Sequence, residues 1–118
     1  MESKELCQAV LKKVPQVRYS GILNSRGDLV FQSNRDDSSA LLSEDEVKMS
    51  VHYTFQRWTS IQNLAHKIGR EKTNITEFDK VTLISLLLNE GSLLLLSSEP
   101  GANYMEIISK VKQIIPDE

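Results

Sequence analysis

Hydrophobic and polar residues alternate in a short stretch near the start of the chain, and a second apolar run follows it closely. The first stretch predicts a β-strand with Val17, Tyr19 and Leu23 on one face. A polar connection at residues 25–28 contains a glycine and leads into the apolar run at residues 29–32. Two apolar runs on either side of such a turn predict a β-hairpin.

Helical patterns are found near both ends of the chain. Residues 4–13 have the spacing of an amphipathic helix, and Ser3 is placed to cap it. Asn103 and Glu106 have the spacing of a capping box, and Pro116 stops the helix that they open. The apolar face predicted for this last helix consists of Tyr104, Ile107, Ile108, Val111 and Ile114.

A long amphipathic helix is predicted in the middle of the chain. The polar, acidic residues 33–46 before it predict a solvated loop that ends in a capping box of Ser43 and Glu46. The helix is predicted to run to about Ile68, with Gly69 placed to end it. At about 100° per residue, one apolar stripe is predicted to cover a sheet. It consists of Val47, Val51, Phe55, Trp58, Ile61, Ala65 and Ile68.

The same helix carries a second, mixed stripe beside the first. One apolar stripe is enough to dock a helix on its own sheet, so the second stripe is not needed for that core. Its composition of Met, Tyr, Arg and Leu is typical of a protein–protein interface. The second stripe consists of Met49, Tyr53, Arg57, Ser60, Leu64 and Lys67.

Three more strands are predicted in the second half of the chain. Residues 74–78 predict a short strand, and the apolar runs 81–88 and 93–96 predict two more that a turn with Gly91 connects. Because these two runs are apolar on both faces, we expect central strands covered by helices or by a partner. The predicted order is α-β-β-α-β-β-β-α, an α/β (α+β) fold in which residues 1–118 form a single domain.

The length, charge and composition of the chain argue against several classes of function. A chain of 118 residues with 40% hydrophobic residues suits one globular domain. Its net charge of -2 argues against nucleic-acid binding. No apolar run approaches the roughly 20 residues of a membrane-spanning helix. One cysteine and a polar, acidic start, unlike a secretory leader, predict a cytoplasmic protein.

The residues that most often carry chemistry do not converge in this sequence. His52 and His66 share nearly one helix face but lie about 21 Å apart along it, too far to hold one metal ion, so we expect two surface histidines. Cys7 has no neighbouring motif and is expected to be a small apolar residue. Phosphate-binding glycine loops and nucleophile motifs are absent from the sequence. We therefore expect no catalytic residues, no metal site and no cofactor.

Two long segments of the chain resemble a known family. At residues 14–33 an apolar-Pro step ends a short helix, and a strand, a polar turn and a second strand ending in a small residue follow. Residues 81–115 form a closing hairpin and a last helix. Together with Gly21, Gly27 and Gly91, this order resembles the Roadblock / dynein light chain family. The related longin and profilin-like folds share much of the pattern and remain alternatives.

The resemblance implies a five-stranded antiparallel sheet with the long helix on one face and the terminal helices on the other. It also implies a non-catalytic scaffold or regulator, with a Ras-like small GTPase or its regulators as the partner. Such proteins form homodimers, or pair with another Roadblock-like chain, through their third strands and long helices. Carried onto this chain, the interface consists of Met49, Tyr53, Arg57, Ser60 and Leu64 with Ile75 and Phe78 of the third strand.

A ligand sensor is the alternative function, because folds of this shape can hold a small molecule between sheet and helix. The leucine-rich strands and Tyr19, Phe31 and Trp58 are the residues expected to line such a pocket. A sensor would show a melting temperature that rises with its ligand, whereas a scaffold would show no such shift with small molecules.

Overall fold

The computed structural model describes residues 2–35 and 42–116. Part of the predicted solvated loop, residues 36–41, lies outside the described residues. The predicted order of helices and strands is confirmed, except that the long central helix is divided by a 3-10 turn. In chain order the elements are α1 (Ser3–Lys13), β1 (Val17–Leu23), β2 (Leu29–Asn34), α2 (Glu44–Ile61), a 3-10 turn (Gln62–Leu64), α3 (Ala65–Ile68), β3 (Thr73–Glu77), β4 (Thr82–Leu87), β5 (Leu93–Ser98) and α4 (Tyr104–Ile114).

The five strands form one antiparallel sheet in the order β2-β1-β5-β4-β3. The hairpins β1–β2 and β4–β5 join through the β1–β5 pair, which places the first and last strands of the chain side by side in the centre. The predicted fold class is therefore confirmed. Within the described residues, β3 pairs with β4 alone and leaves one edge of the sheet open.

The larger hydrophobic core lies between the sheet and the two terminal helices. In α4, Ile107, Ile108 and Val111 are buried against the sheet, as their spacing predicts. Tyr104 of the same helix donates or accepts a hydrogen bond of 2.8 Å with Thr82 of β4. Burial of the apolar face of a helix in this way is the main source of its stability in a folded domain.

A smaller core lies under α2 on the opposite face of the sheet. Among the described residues, its buried members are Leu23, Val51, Leu93 and Leu95. The side chains of Phe55 and Trp58, whose ring centroids lie 6.4 Å apart, are only half-buried against it. This face of the sheet is therefore covered less completely than the other.

One predicted strand face is wrong because β1 contains a bulge. Opposite β5, Val17 pairs with Ser98 and Tyr19 with Ser97, so two steps along β1 match one step along β5. A bulge of this kind moves every following side chain to the other face. Val17 is buried under the terminal helices, while Tyr19 and Leu23 lie on the α2 side, where burial raises the pKa of Tyr19 to about 12.

The N-terminal end of α1 differs from the prediction that Ser3 caps this helix. The N-cap is Glu2, which makes no side-chain capping bond, and Ser3 is already helical because the Leu6 amide donates to the Glu2 carbonyl at 3.0 Å. The capping box of Ser43 and Glu46 at the start of α2 is confirmed, with hydrogen bonds of 2.9 and 3.2 Å. Hydrogen bonding to Ser43 also lowers the pKa of the Glu46 carboxyl.

The long helix also ends differently. α2 stops at Ile61, and the 3-10 turn separates it from α3, so one continuous helix to Ile68 is wrong. Gly69 does end the helical segment, with a φ of 85°. Ile68, predicted to face the sheet, is 74% exposed. A six-residue strand spans roughly 20 Å, whereas the helical segment spans roughly 37 Å, so its end extends past the sheet.

Arg35 joins the end of β2 to the end of α1, a role that the hydrophobic pattern did not reveal. Its guanidinium donates to the carbonyl of Val17 at 2.8 Å, to that of Val14 at 3.0 Å and to that of Leu11. The carbonyls of Leu11 and Val14 lie at and just after the C-terminus of α1, where helical carbonyls lack partners and a cation is favoured, and that of Val17 lies at the start of β1. Arg35 therefore fixes α1 on the sheet.

Candidate functional site

The outward face of α2 carries apolar side chains that do not contact the core. Met49, Tyr53 and Leu64 are 72%, 67% and 48% exposed, whereas Val51 on the sheet side is buried. Large apolar side chains clustered at a surface mark interaction sites more often than isolated ones do. We refer to this surface as the α2 stripe, which consists of Met49, Tyr53, Arg57 and Ser60 of α2 with Leu64 of the following 3-10 turn.

The charge of Arg57 in the α2 stripe is neutralised within the chain. Its two terminal guanidinium nitrogens contact the two carboxylate oxygens of Glu71 at 3.1 and 2.5 Å. The side chains of Arg57 and Glu71 are 31% and 19% exposed. The hydrogen bonds that Arg57 donates to Glu71 raise the pKa of the guanidinium. Two parallel bonds of this kind hold a guanidinium in one orientation.

Sequence reasoning missed Glu71, because this residue lies in the connection between α3 and β3 rather than in a periodic element. Helical spacing detects partners three or four residues apart, whereas Glu71 is separated from Arg57 by 14 positions. The sequence signal is an arginine near the centre of a stripe that also carries Met49, Tyr53 and Leu64, since such a cation needs a counterion when it is partly buried.

β3 provides a second candidate surface at the open edge of the sheet. The register pairs Ile75 with Ile84, which belongs to the core under the terminal helices, so Ile75 lies on that side and is 37% exposed. Phe78 follows the strand and keeps its register through a bond to the Val81 carbonyl. By strand alternation Phe78 lies on the α2 side with Thr76, and it is 52% exposed.

The predicted interface residues therefore divide between two places. Four residues of the α2 stripe share one face of α2, and Leu64 follows in the 3-10 turn. Phe78 lies on the same side of the sheet as α2. Ile75 lies on the opposite side of β3. A strand added at the edge of a sheet contacts both faces of the outer strand, so this division still leaves Ile75 and Phe78 beside one edge.

The two histidines and the single cysteine lie in different environments. His52 and His66 are both exposed, while Cys7 is fully buried, and burial raises the pKa of its thiol. Across residues 2–35 and 42–116, no group of three or more His, Cys, Asp or Glu side chains could hold a metal ion. No helix in the same ranges is long and apolar enough to cross a membrane.

A cleft of about 620 Å³ lies between the β1–β2 hairpin and the first half of α2. The predicted pocket residues do not line it: Phe31 packs on the other side of the sheet, and Tyr19 and Trp58 lie in the smaller core. Charged and polar side chains form much of the actual lining. It consists of Gly27, Asp28, Leu29, Gln32, Glu44, Val47, Lys48, Val51 and His52.

No protein-family model matches the chain, and no curated protein matches it. Solved structures do match. The gliding protein MglB from Thermus thermophilus superposes with a TM-score of 0.76 at 14% identity, over 95% of this chain and 82% of its own. A Roadblock/LC7 domain from Streptomyces avermitilis gives a TM-score of 0.74 at 12% identity, over 98% of this chain and 92% of its own.

A third structure, described as MglB with a tetrameric arrangement, gives a TM-score of 0.77 at 15% identity, over 96% of this chain and 82% of its own. At these identities the likeness is one of fold. The chain therefore has the Roadblock/LC7 fold, as the resemblance of its sequence implied.

Proposed function

We propose that this chain is a non-catalytic scaffold or regulatory protein that pairs through the α2 stripe and the edge of β3 and binds other proteins on the paired surface. Two features of one face of the molecule support the proposal. The α2 stripe exposes apolar side chains, and the neighbouring edge strand β3 has no partner on its outer side among the described residues. A partner that covered both would complete the thinner of the two cores.

Burial of the α2 stripe supplies the driving force for this pairing. The exposed fractions of Met49, Tyr53 and Leu64 mean that most of their apolar surface is still available to a partner. Burial of apolar surface contributes roughly 25 cal/mol per Å², and aromatic residues and methionine are enriched in interfaces. The Arg57–Glu71 pair enters such an interface already neutralised, which lowers the cost of burying its charges.

Backbone hydrogen bonds at the edge of β3 would fix the orientation of the partner. An open edge presents unpaired amides and carbonyls that a second strand can bond. The strand is short and polar, with Asn74 and Thr76 on its α2 side, which suits an edge that must avoid indiscriminate pairing. An added strand would place its side chains beside Ile75 on one face of the sheet and beside Phe78 on the other.

The partner class follows from the family that the sequence resembles. The resemblance implies a scaffold or regulator, often one that acts on Ras-like small GTPases. Solved chains with this fold include a gliding protein and an MglB in a tetrameric arrangement. We infer that two copies of this chain, or this chain with another Roadblock-like chain, form a composite surface on which a small GTPase or its regulator docks.

The test is a binding titration between the purified chain and a panel of Ras-like small GTPases, each loaded with GDP or with a non-hydrolysable GTP analogue. The proposal predicts saturable binding by the paired form and a large loss of affinity in a variant that is folded but monomeric. Equal binding by the monomeric variant would show that the partner does not need the paired surface, which contradicts the proposed mechanism. Failure of the whole panel to bind would contradict the small-GTPase assignment.

A further inference from the structure

β2 forms the second edge of the sheet, opposite β3, and within the described residues it pairs with β1 alone. Charged residues or proline commonly protect such edges from pairing with other chains. None of the six residues of β2 is charged or a proline, and Val30 at this edge is 53% exposed. The outer side of β2 therefore lacks the usual protection and is suited to accept a further strand.

Two residues of β2 direct their backbone groups away from β1. The amide of Arg35 donates to the carbonyl of Arg18, which lies opposite it, at 2.8 Å. Bonded and non-bonded pairs alternate along an antiparallel ladder, and the register from Phe31 to Asn34 is regular. The amides and carbonyls of Gln32 and Asn34 therefore point outward, where they are available to an added strand.

The cleft of about 620 Å³ lies beside this edge, on the α2 side of β2. Its wall on the helix includes Glu44, Lys48 and His52, which are exposed and follow each other at intervals of four residues. Four residues advance a helix by roughly 6 Å, and alternate side chains of a strand are roughly 6.7 Å apart. The wall therefore offers one α2 side chain to each alternate side chain of an added strand.

The charges on this wall differ from one position to the next. Glu44 is an acid and Lys48 a base, and neither belongs to an ion pair among the described residues. Gly27, just before β2, lies close to the ring of Phe55, whereas Glu44 precedes Phe55 along α2 by roughly 16 Å. α2 therefore runs opposite to β2. A strand antiparallel to β2 runs in the direction of α2 and passes Glu44 before Lys48.

The side chains of an added strand follow from its register. Gln32 lies on the α2 side, where its side chain accepts a hydrogen bond of 3.1 Å from the Tyr19 hydroxyl, and Asn34 follows on the same side. Residues directly opposite each other in an antiparallel pair share a face of the sheet. The added residue opposite Asn34 therefore lies near Glu44, and the one opposite Gln32, two positions later, lies near Lys48. A base in the first position and an acid in the second complement the wall.

We propose that the outer edge of β2 is a docking site for an extended segment of a partner protein. The segment adds as a strand antiparallel to β2 and carries a basic residue and, two positions later, an acidic residue on its α2 side. Recognition combines backbone hydrogen bonds with side-chain contacts at alternate positions. The site lies at the edge of the sheet opposite the proposed pairing edge. It therefore needs no second copy of this chain and goes beyond the proposed function.

The probe is the synthetic peptide Thr-Val-Lys-Val-Asp-Val-Thr with blocked ends, in which Lys and Asp occupy the two matched positions. It is titrated into the isotopically labelled original chain, and the amide chemical shifts are followed by NMR. We expect saturable shifts at Gln32, Asn34 and Lys48, with a dissociation constant of about 1 mM or lower. The charge-swapped peptide Thr-Val-Asp-Val-Lys-Val-Thr should bind at least about threefold more weakly.

Methylation of single peptide amides tests the strand addition itself. The amide of the peptide's Asp bonds to the Gln32 carbonyl in the proposed register, so its methylation should weaken binding about tenfold or more. The amide of the central Val points away from β2. Its methylation is the matched control, with an expected change below about twofold.

Reversal of the charges on the wall tests the side-chain contacts. Glu44→Lys with Lys48→Glu should reverse the preference, so that the charge-swapped peptide binds more tightly than the first peptide. The matched control is Glu106→Lys with Lys110→Glu, which reverses charges at the same spacing on α4, across the sheet. This control should keep the original preference. An unchanged preference in the α2 variant would contradict the proposed charge pattern.

Several outcomes would overturn the proposal. Shifts confined to Thr73–Glu77 would place the peptide at the other edge, and equal effects of the two methylations would exclude strand addition at β2. Absence of any shift at millimolar peptide would exclude docking. Dissociation of a dimer by the peptide would show that a second copy occupies this edge. Tyr53→Asp should bind the peptide as the original chain does, and a monomeric original chain that binds it would contradict only the proposed pairing.

Discussion

Replacement of Tyr53 by aspartate is the substitution that best separates the interface from the core. Tyr53 projects from the middle of the α2 stripe and is 67% exposed, so its ring contributes little to the fold of one chain. In a dimer that pairs through this stripe, the same ring is buried on both copies. We therefore expect Tyr53→Asp to dissociate the dimer while each chain stays folded.

The size of the effect follows from the exposed area. A tyrosine side chain can bury roughly 150–250 Å², and two thirds of this leaves about 130 Å² for a partner to cover. At roughly 25 cal/mol per Å² this is about 3 kcal/mol for each copy. Incomplete burial and side-chain ordering reduce the total. We expect the dissociation constant to rise at least about 100-fold, whereas the free energy of unfolding of one chain should change by less than about 1 kcal/mol.

The assay is light scattering on a sizing column across a concentration series, with circular dichroism to verify folding. The matched control is Met105→Asp, because Met105 on α4 is similarly exposed, at 70%, but lies across the sheet from the α2 stripe. The control should remain dimeric. A dimeric Tyr53→Asp variant would refute the interface, and an unfolded one would show that the stripe belongs to the core.

Three further predictions concern stability, measured by urea denaturation in the Tyr53→Asp background so that dissociation does not contribute. Trp58→Ala should lower the free energy of unfolding by about 3 kcal/mol, because the half-buried ring packs beside Phe55; a change below about 1 kcal/mol would contradict this packing. Gly27→Ala should lower the free energy of unfolding by about 1–2 kcal/mol more than Gly91→Ala. Both glycines have φ near 90°, but only at Gly27 would the new Cβ lie 2.9 Å from the Phe55 ring. Equal losses in the two variants would refute this contact. Arg35→Ala should cost about 2 kcal/mol through the loss of its bonds to three carbonyls, with partial recovery in Arg35→Lys, and an unchanged curve would contradict that role.

Local sequence patterns were sufficient to predict most of the fold. The capping box of Ser43 and Glu46 marks the start of α2, and the apolar spacing of α4 gives its buried face, because both signals depend on residues three or four positions apart. Gly27, with a φ of 90°, marks the hairpin turn in the same local way. These features need no knowledge of the rest of the chain.

The features that sequence reasoning missed depend on contacts between distant residues. The bulge that separates Val17 from Tyr19 exists only in the pairing with β5, so alternation within β1 could not reveal it. The bond between Arg57 and Glu71 spans two elements and a connection. The exposure of Ile68 depends on where the sheet ends beneath the helix.

The candidate site was predicted only in part for the same reason. Helical spacing correctly separated exposed Tyr53 from buried Val51, since both belong to one regular helix. Assignment of β3 residues to one face of the sheet requires the register with β4, which places Ile75 and Phe78 on opposite sides. Whether both lie in one interface stays a prediction.

The most direct test of the central proposal is the mass of the original chain in solution. We expect light scattering across a dilution series to give a mass near twice 13.4 kDa that persists at low concentration. A dimer of that mass is what pairing through the α2 stripe and the edge of β3 requires. A mass of 13.4 kDa at every concentration would contradict the proposed self-pairing.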